Sequence, residues 1–256
     1  MMIINKNDLF LLEETVKRNF AAKYKDSVLG IFWSILKPLL IMILLTIIFS
    51  TLFGSRIENY PVYFLSGKCV YDFFSAATNS SINAIKNNGN ILIKTAAPKH
   101  IFVLGCIISE FINFFITLVI LIAVMIATNA TFHFNTIPLA AIPIFAEFIL
   151  LTGLGLILSI VCVYYRDMAH LWSVITVLLT YASALFYPMD IIPEPYHQYL
   201  ILNPIFWAID QFRHFVIWGT IPNILNIINL LLISAITLII GMIIFKKYEK
   251  HVAMKF

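Results

Sequence analysis

Apolar residues fall into six long blocks along this chain, separated by short stretches that hold most of its charge. A bilayer-spanning helix takes about 20 apolar residues. The blocks from Phe32 to Phe53, Pro61 to Asn83, Ile101 to Thr128, Ile137 to Tyr164, Ala169 to Phe186 and Ile224 to Phe245 are near that length or longer. The second block is the least hydrophobic, because Lys68, Asp72, Asn79, Ser80 and Ser81 interrupt it. A helix that polar persists in hydrocarbon only with one face turned to protein or water. Lys68, Asp72, Ser75 and Asn79 recur every three or four residues, so they share one side, where Lys68 and Asp72 can neutralise each other. That side is expected to line a path through the membrane, edged by the rings of Tyr71 and Phe74.

Two segments break the pattern. Residues 5–28 space Leu9, Leu12, Val16, Phe20, Tyr24 and Val28 at three or four, with charges between them. The spacing predicts an amphipathic helix along the membrane surface, capped by Asn7 or Asp8. Residues 187–222 are cut by prolines and rich in Tyr, Phe and Trp. They predict two short helices, near 196–202 and 205–218, dipping into the opposite surface.

Composition excludes a water-soluble domain: 61% of the 256 residues are apolar and 12% charged, against roughly 45–50% and 25% in soluble proteins. Fourteen of the 17 basic residues fall on one side of the six-block map, leaving Arg56, Lys68 and Arg213 for the other. The basic side is the cytoplasmic one, so both termini are expected there. The fold class is all-α: a polytopic membrane protein of six transmembrane helices, with an N-terminal interface helix and short extracytoplasmic helices between spans five and six.

Chemistry-bearing patterns are missing. No G-x-x-x-x-G-K-[ST], HExxH, GxSxG or paired-Cys spacing occurs, and Cys69, Cys106 and Cys162 lie in separate apolar blocks as small hydrophobes. No catalytic residue, metal site or cofactor site is expected. Transport would therefore draw on an ion gradient or on an ATPase in another polypeptide. Glu110 and Glu147, deep in their blocks, keep an ion-gradient-driven lipid or glycan flippase open as the alternative.

The densest pattern is Lys23-Tyr24-Lys25-Asp26-Ser27 followed by Leu29, Gly30, Trp33 and Pro38. It resembles the opening of the membrane permease subunit of polysaccharide-exporting ATP-binding-cassette transporters, which move O-antigen, teichoic acid or capsule-type glycans. Within residues 85–100, Leu92-Ile93-Lys94 and Pro98-Lys99 resemble that family's coupling segment, with Ala97 where the family often has an aromatic. Tyr165-Arg166-Asp167, within 164–168, is similar to its second ATPase contact. Tyr187-Pro188 and Asn203-Pro204 resemble its outer gate, with Ala184 replacing a proline.

The resemblance implies one transmembrane domain over 1–256. Its parts are an interface helix at 5–31, spans one to five over 32–186, gate helices at 187–222 and a sixth span at 224–245. It further implies a second copy of the chain and two copies of a separate ATPase subunit, which would hold ATP and magnesium. The substrate would be a polyprenyl-diphosphate-linked polysaccharide. The setting would be a prokaryotic cell membrane, with lipids and no nucleic acid as partners.

The basic asymmetry makes one expectation direct. Cysteines placed at Lys94 and Lys250, in a background lacking the native cysteines, should be shielded from an impermeant reagent applied to whole cells. Cysteines at Glu58 and Glu194 should react with it. Labelling of position 94 from outside would overturn the orientation.

Overall fold

A computed structural model describes residues 6–24, 30, 32–53, 57–89, 91, 97–165 and 167–252. Among them the chain is all helix and turn. The helices are α1 (Lys6–Tyr24), α2 (Phe32–Phe53), α3 (Tyr60–Ile82), α4 (His100–Ala127), α5 (Ala141–Tyr164), α6 (Met168–Ala182), α7 (His197–Ile201), α8 (Pro204–Arg213) and α9 (Ile224–Val252). Four spans among the described residues are long and apolar enough to cross a membrane: Phe32–Phe49, His100–Ala127, Ile137–Tyr164 and Ile224–Glu249.

Three expected boundaries shift. The amphipathic helix already contains Lys6, Asn7 and Asp8, so neither Asn7 nor Asp8 caps it; Asp8 sits in its first turn, where a carboxylate favours the helix dipole. The fifth block is helical only to Ala182, because Ala184 takes a left-handed conformation (φ 48°) and turns the chain. The last helix runs on to Val252, past the apolar block.

Contacts assign the helix ends to two sides. At one end, Lys99 Nζ donates to the Glu249 carbonyl at 2.6 Å, and the rings of Tyr164 and Tyr248 meet at 5.9 Å. At the other, Asn59 Nδ2 donates to Thr128 Oγ1 at 2.8 Å, and Phe49 stacks on Tyr60 and Phe186. Lys17, Arg18, Lys23, Lys86, Lys246 and Lys247 all belong to the first end.

The least apolar of the six blocks is the most enclosed. α3 packs against α2, α4, α5, α6 and α8, and buries Phe64, Leu65, Val70, Phe73 and Ala77 almost completely. Its hydroxyls turn inward on its own backbone: Thr78 Oγ1 donates to the Phe74 carbonyl and Ser81 Oγ to that of Ala77. Such back-bonding satisfies polar groups that hydrocarbon would leave unpaired. Apolar side chains on the outer faces of α2 and α9, such as Leu44, Ile47, Leu232 and Ile243, are exposed and await lipid or another subunit.

α5 and α9 run side by side with their backbones touching. A Cβ on Gly153 would come within 2.5 Å of the Thr237 backbone, and one on Gly241 within 2.5 Å of the Gly153 carbonyl oxygen. Small residues at such crossings let membrane helices gain close van der Waals contact.

On the far side from the basic end, Arg213 is buried at the C-terminus of α8. Its Nη1 donates to Tyr63 Oη at 2.8 Å and to the Ala184 carbonyl at 2.9 Å. Its Nη2 donates to the carbonyls of Leu185 at 2.8 Å and Tyr63 at 3.2 Å. The guanidinium carbon lies 3.6 Å from the Tyr63 ring centroid, a cation–π distance. Gly67 makes the room, since a Cβ there would fall 2.6 Å from Nη2.

Replacing Gly153 by Ala forces α5 and α9 apart, and overpacking of this kind costs about 1–3 kcal/mol. The variant should unfold in detergent at a clearly lower temperature than wild type, while Leu232→Ala on the exposed face of α9 should not. Equal unfolding temperatures for Gly153→Ala and wild type would refute the tight crossing.

Candidate functional site

A polar cleft of about 430 Å³ opens between the start of α2, the middle of α3 and α4, with the end of α1 at its mouth. α3 contributes Lys68, Asp72, Ser75 and Asn79, the stripe that the spacing predicts. α4 contributes Glu110, Asn113 and Thr117; α2 contributes Trp33, Ser34, Lys37 and Pro38; Lys23, Tyr24 and Gly30 complete the rim.

The stripe forms because residues four apart on a helix overlie one another. Lys68 Nζ is paired with Asp72. Asn79, also lining the cleft, donates from Nδ2 to the Ser75 carbonyl at 2.7 Å. On the facing wall Glu110 Oε2 accepts from Lys23 Nζ at 2.8 Å and from Asn113 Nδ2 at 2.9 Å. Tyr24 Oη donates to Asn113 Oδ1 at 2.8 Å and lies 2.6 Å from Ser34 Oγ. α1 is thus strapped to α2 and α4 by polar contacts, and only Thr15 among its residues is buried.

The charges in the cleft nearly cancel. Two ion pairs, Lys68–Asp72 and Lys23–Glu110, leave Lys37 as an exposed cation with no hydrogen-bond or ion-pair partner among the described residues. Such a cleft can take a hydrated polar ligand and favours an anionic one.

Tyr71 and Phe74 do not share this cleft, which corrects their expected place beside the stripe. Tyr71 is 3% and Phe74 2% exposed. They lie on the opposite side of α3, where Tyr71 Oη donates to the Thr176 carbonyl of α6 and Phe74 packs near Trp172. Rings that large gain more from helix–helix burial than from a wet wall.

The other expected residues divide by position. In the interface-helix pattern Lys23, Tyr24, Gly30, Trp33 and Pro38 meet at the cleft mouth; Lys25, Asp26, Ser27 and Leu29 lie outside the described residues. Among the coupling residues, Leu92, Ile93, Lys94 and Arg166 also lie outside them. Pro98 and Lys99 begin α4, with Lys99 tied to the end of α9. Tyr165 (70% exposed) and Asp167 stand open at the α5–α6 connector. Both connectors therefore reach the basic end of the bundle.

At the opposite end Asn203 Oδ1 accepts from the Ile205 N–H at 3.0 Å, capping α8, while Pro204 occupies its first position. Asn203 Nδ2 reaches back to Ser183 Oγ at 2.8 Å and the Ala182 carbonyl at 3.2 Å. Tyr187 Oη donates to the Tyr181 carbonyl, and the Tyr187 carbonyl accepts from Tyr63 Oη at 2.9 Å. Pro188, extended, leads into the turn at Met189–Ile191. The gate residues thus form a braced cap around Arg213, a residue that charge counting reduces to a misplaced topogenic signal. The clue in the sequence is a polar knot, Asp210, Gln211, Arg213 and His214, inside a run otherwise rich in apolar and aromatic residues.

Glu110 and Glu147 do not share a cavity. Glu147 is fully enclosed in α5, with no hydrogen-bond partner for either oxygen among the described residues.

Residues 11–217 match the model of the ABC-2 type transporter family. The chain is 26% identical, over 247 residues, to the O-antigen export system permease protein RfbA of Klebsiella pneumoniae, covering 95% of this chain and 93% of that one. It is 23% identical over 247 residues to the RfbA protein of Myxococcus xanthus, covering 95% and 94%. With the polysialic acid transport protein KpsM of Escherichia coli it shares 23% identity over 242 residues, 93% of each. A match that takes in both the polar cleft and the arginine-braced cap makes this chain a member of the ABC-2 type transporter family.

Proposed function

We propose that the chain is the membrane-spanning subunit of an ATP-driven exporter that moves a polyprenyl-diphosphate-linked polysaccharide outward from the cytoplasm. The observation that carries this is the near full-length match to permeases named for O-antigen and polysialic acid transport. Two copies of the chain and two copies of a separate ATPase make the working unit, since one bundle of this size holds only a narrow cleft. The basic end faces the cytoplasm and both termini lie there. Six helices cross the bilayer: the four long apolar ones, the enclosed α3, and α6, whose path is completed by the turn after Ala182.

ATP and magnesium bind the partner. Its push is received by the two connectors, through Leu92, Ile93, Lys94, Pro98 and Lys99 on one and Tyr165, Arg166 and Asp167 on the other. The exposed ring of Tyr165 suits a socket on the ATPase, because aromatic side chains entering pockets dominate many interfaces. Lys68, Asp72, Ser75 and Asn79 line the substrate path, and Asn203-Pro204 with Tyr187-Pro188 holds its outer gate. A gradient-driven flippase draws less support, because Glu110 is engaged by Lys23 and Asn113.

Removing the chain from its native cell should leave the glycan inside, and restoring the wild-type chain should return it to the surface. Tyr165→Ala with Asp167→Ala should insert and accumulate normally yet export at least about tenfold less, the loss expected for one interface hot spot. Continued surface delivery at the wild-type rate in cells lacking the chain would refute the export function. Wild-type export by the double variant would remove the connector's role alone.

A further inference from the structure

A second cavity, of about 640 Å³, lies under α1 at the basic end, bounded by the last turns of α3 and by α4. It shares Lys23, Asn79 and Glu110 with the polar cleft, so the two are successive chambers along one wall. Its volume is within the roughly 300–1,000 Å³ typical of small-molecule sites.

Its lining is unusual. Beyond Asn79 the wall is continued by Asn83, the residue that ends α3, and by the exposed Asn87 in the turn that follows. Asn19 faces them from α1. Asn88 is used structurally: its Oδ1 accepts from Arg18 Nη2 at 2.6 Å and its Nδ2 donates to the Ala84 carbonyl at 2.7 Å. By contrast, the carboxamides of Asn83 and Asn87 have no hydrogen-bond partner among the described residues. A carboxamide offers two donors and an acceptor in one plane. That matches vicinal hydroxyls of a sugar ring, each both donor and acceptor. The charged groups of this chamber are engaged, Arg18 by Asn88 and Lys23 by Glu110, so the two carboxamides are what it offers to hydroxyls. The cation, Lys37, stands in the adjoining chamber.

Resting on the export function proposed above, we infer that these chambers form a sugar–phosphate site within a single subunit. Asn83 and Asn87 hold the hydroxyls of a pyranose unit in the chamber beneath α1, and Lys37 holds the phosphate joined to it in the cleft. α1, strapped by polar contacts over both chambers, is their roof. The ligand chemistry is a sugar carrying an anionic phosphate or diphosphate, whether lipid-borne or free.

The test uses the full chain in lipid nanodiscs and equilibrium binding of three labelled probes. These are farnesyl-diphosphate-linked N-acetylglucosamine, farnesyl diphosphate, and N-acetylglucosamine 1-phosphate. Asn83→Ala with Asn87→Ala should weaken the sugar-bearing prenyl probe about tenfold, the loss of one or two hydrogen bonds, and leave farnesyl diphosphate unchanged. Lys37→Gln should weaken both prenyl probes. Asn83→Ser with Asn87→Ser keeps polar groups and should fall between, which guards against a folding defect in the alanine pair.

Equal binding of the soluble sugar phosphate, with the same dependence on Asn83 and Asn87, supports the site and assigns it a soluble ligand. Two results overturn it: sugar-bearing and sugar-free prenyl probes binding alike to wild type, or a well-folded alanine variant binding within about twofold of wild type. Because binding is read on the permease without its ATPase, such a failure leaves the export function standing. The export function falls only to the cellular assay.

Discussion

The guanidinium of Arg213 is the interaction on which the half of this bundle remote from the basic end depends. An arginine that keeps its charge away from water is costly unless most of its donors are met. Here Nη1 and Nη2 make four donations, to Tyr63 of α3 and to the two carbonyls that follow α6, and Nε alone of the three nitrogens has no partner among the described residues. Those carbonyls need a donor, because the chain has left the helix at Ala184 and can no longer satisfy them internally. The residue therefore solves two problems at once. It ends α6 early, and it fixes that end to α3 and α8. Asn203 adds a second brace from the start of α8 to the same turn.

The basic half is built on the opposite logic. There the polar groups of α3 pair among themselves while α1 ties to α2 and α4 across from them, which leaves a gap open between the two sets. Side chains such as Lys23 and Glu110 hold the walls at a distance where hydrocarbon packing would collapse them. One helix thus passes from a buried, hydrogen-bonded cap at one end to an open polar cleft toward the other. The tight α5–α9 crossing supplies the rigid back wall against which both halves are set.

Much of this is legible in the chain itself. Hydropathy alone marks the helix over Phe32–Phe53, because beyond Lys37 and Pro38 it is a continuous apolar run whose outer face is exposed for lipid. The stripe from Lys68 to Asn79 is readable because its spacing is helical and polar residues in hydrocarbon must converge. Asn203-Pro204 announces a helix start by local chemistry. Other features depend on distant partners and leave no local trace. Tyr71 and Phe74 are adjacent to the stripe in sequence, yet the turn of the helix carries them into the α6 interface. Gly67 and Arg213 are 146 positions apart, and neither predicts the other. The shortness of α6 follows from Arg213, so it too is hidden from a count of apolar residues.

The claim that one arginine binds the cap to the bundle is tested most directly by hydrogen–deuterium exchange on Arg213→Lys. Lysine keeps the charge but lacks the planar fork that reaches two carbonyls and a phenol together. The structure predicts faster exchange in three separated segments at once: residues 183–188, the first turn of α3 around Tyr63, and α8. Exchange in α1 and in the first turns of α4 should stay as in wild type. Faster exchange confined to α8, with residues 183–188 and α3 as protected as before, would contradict it.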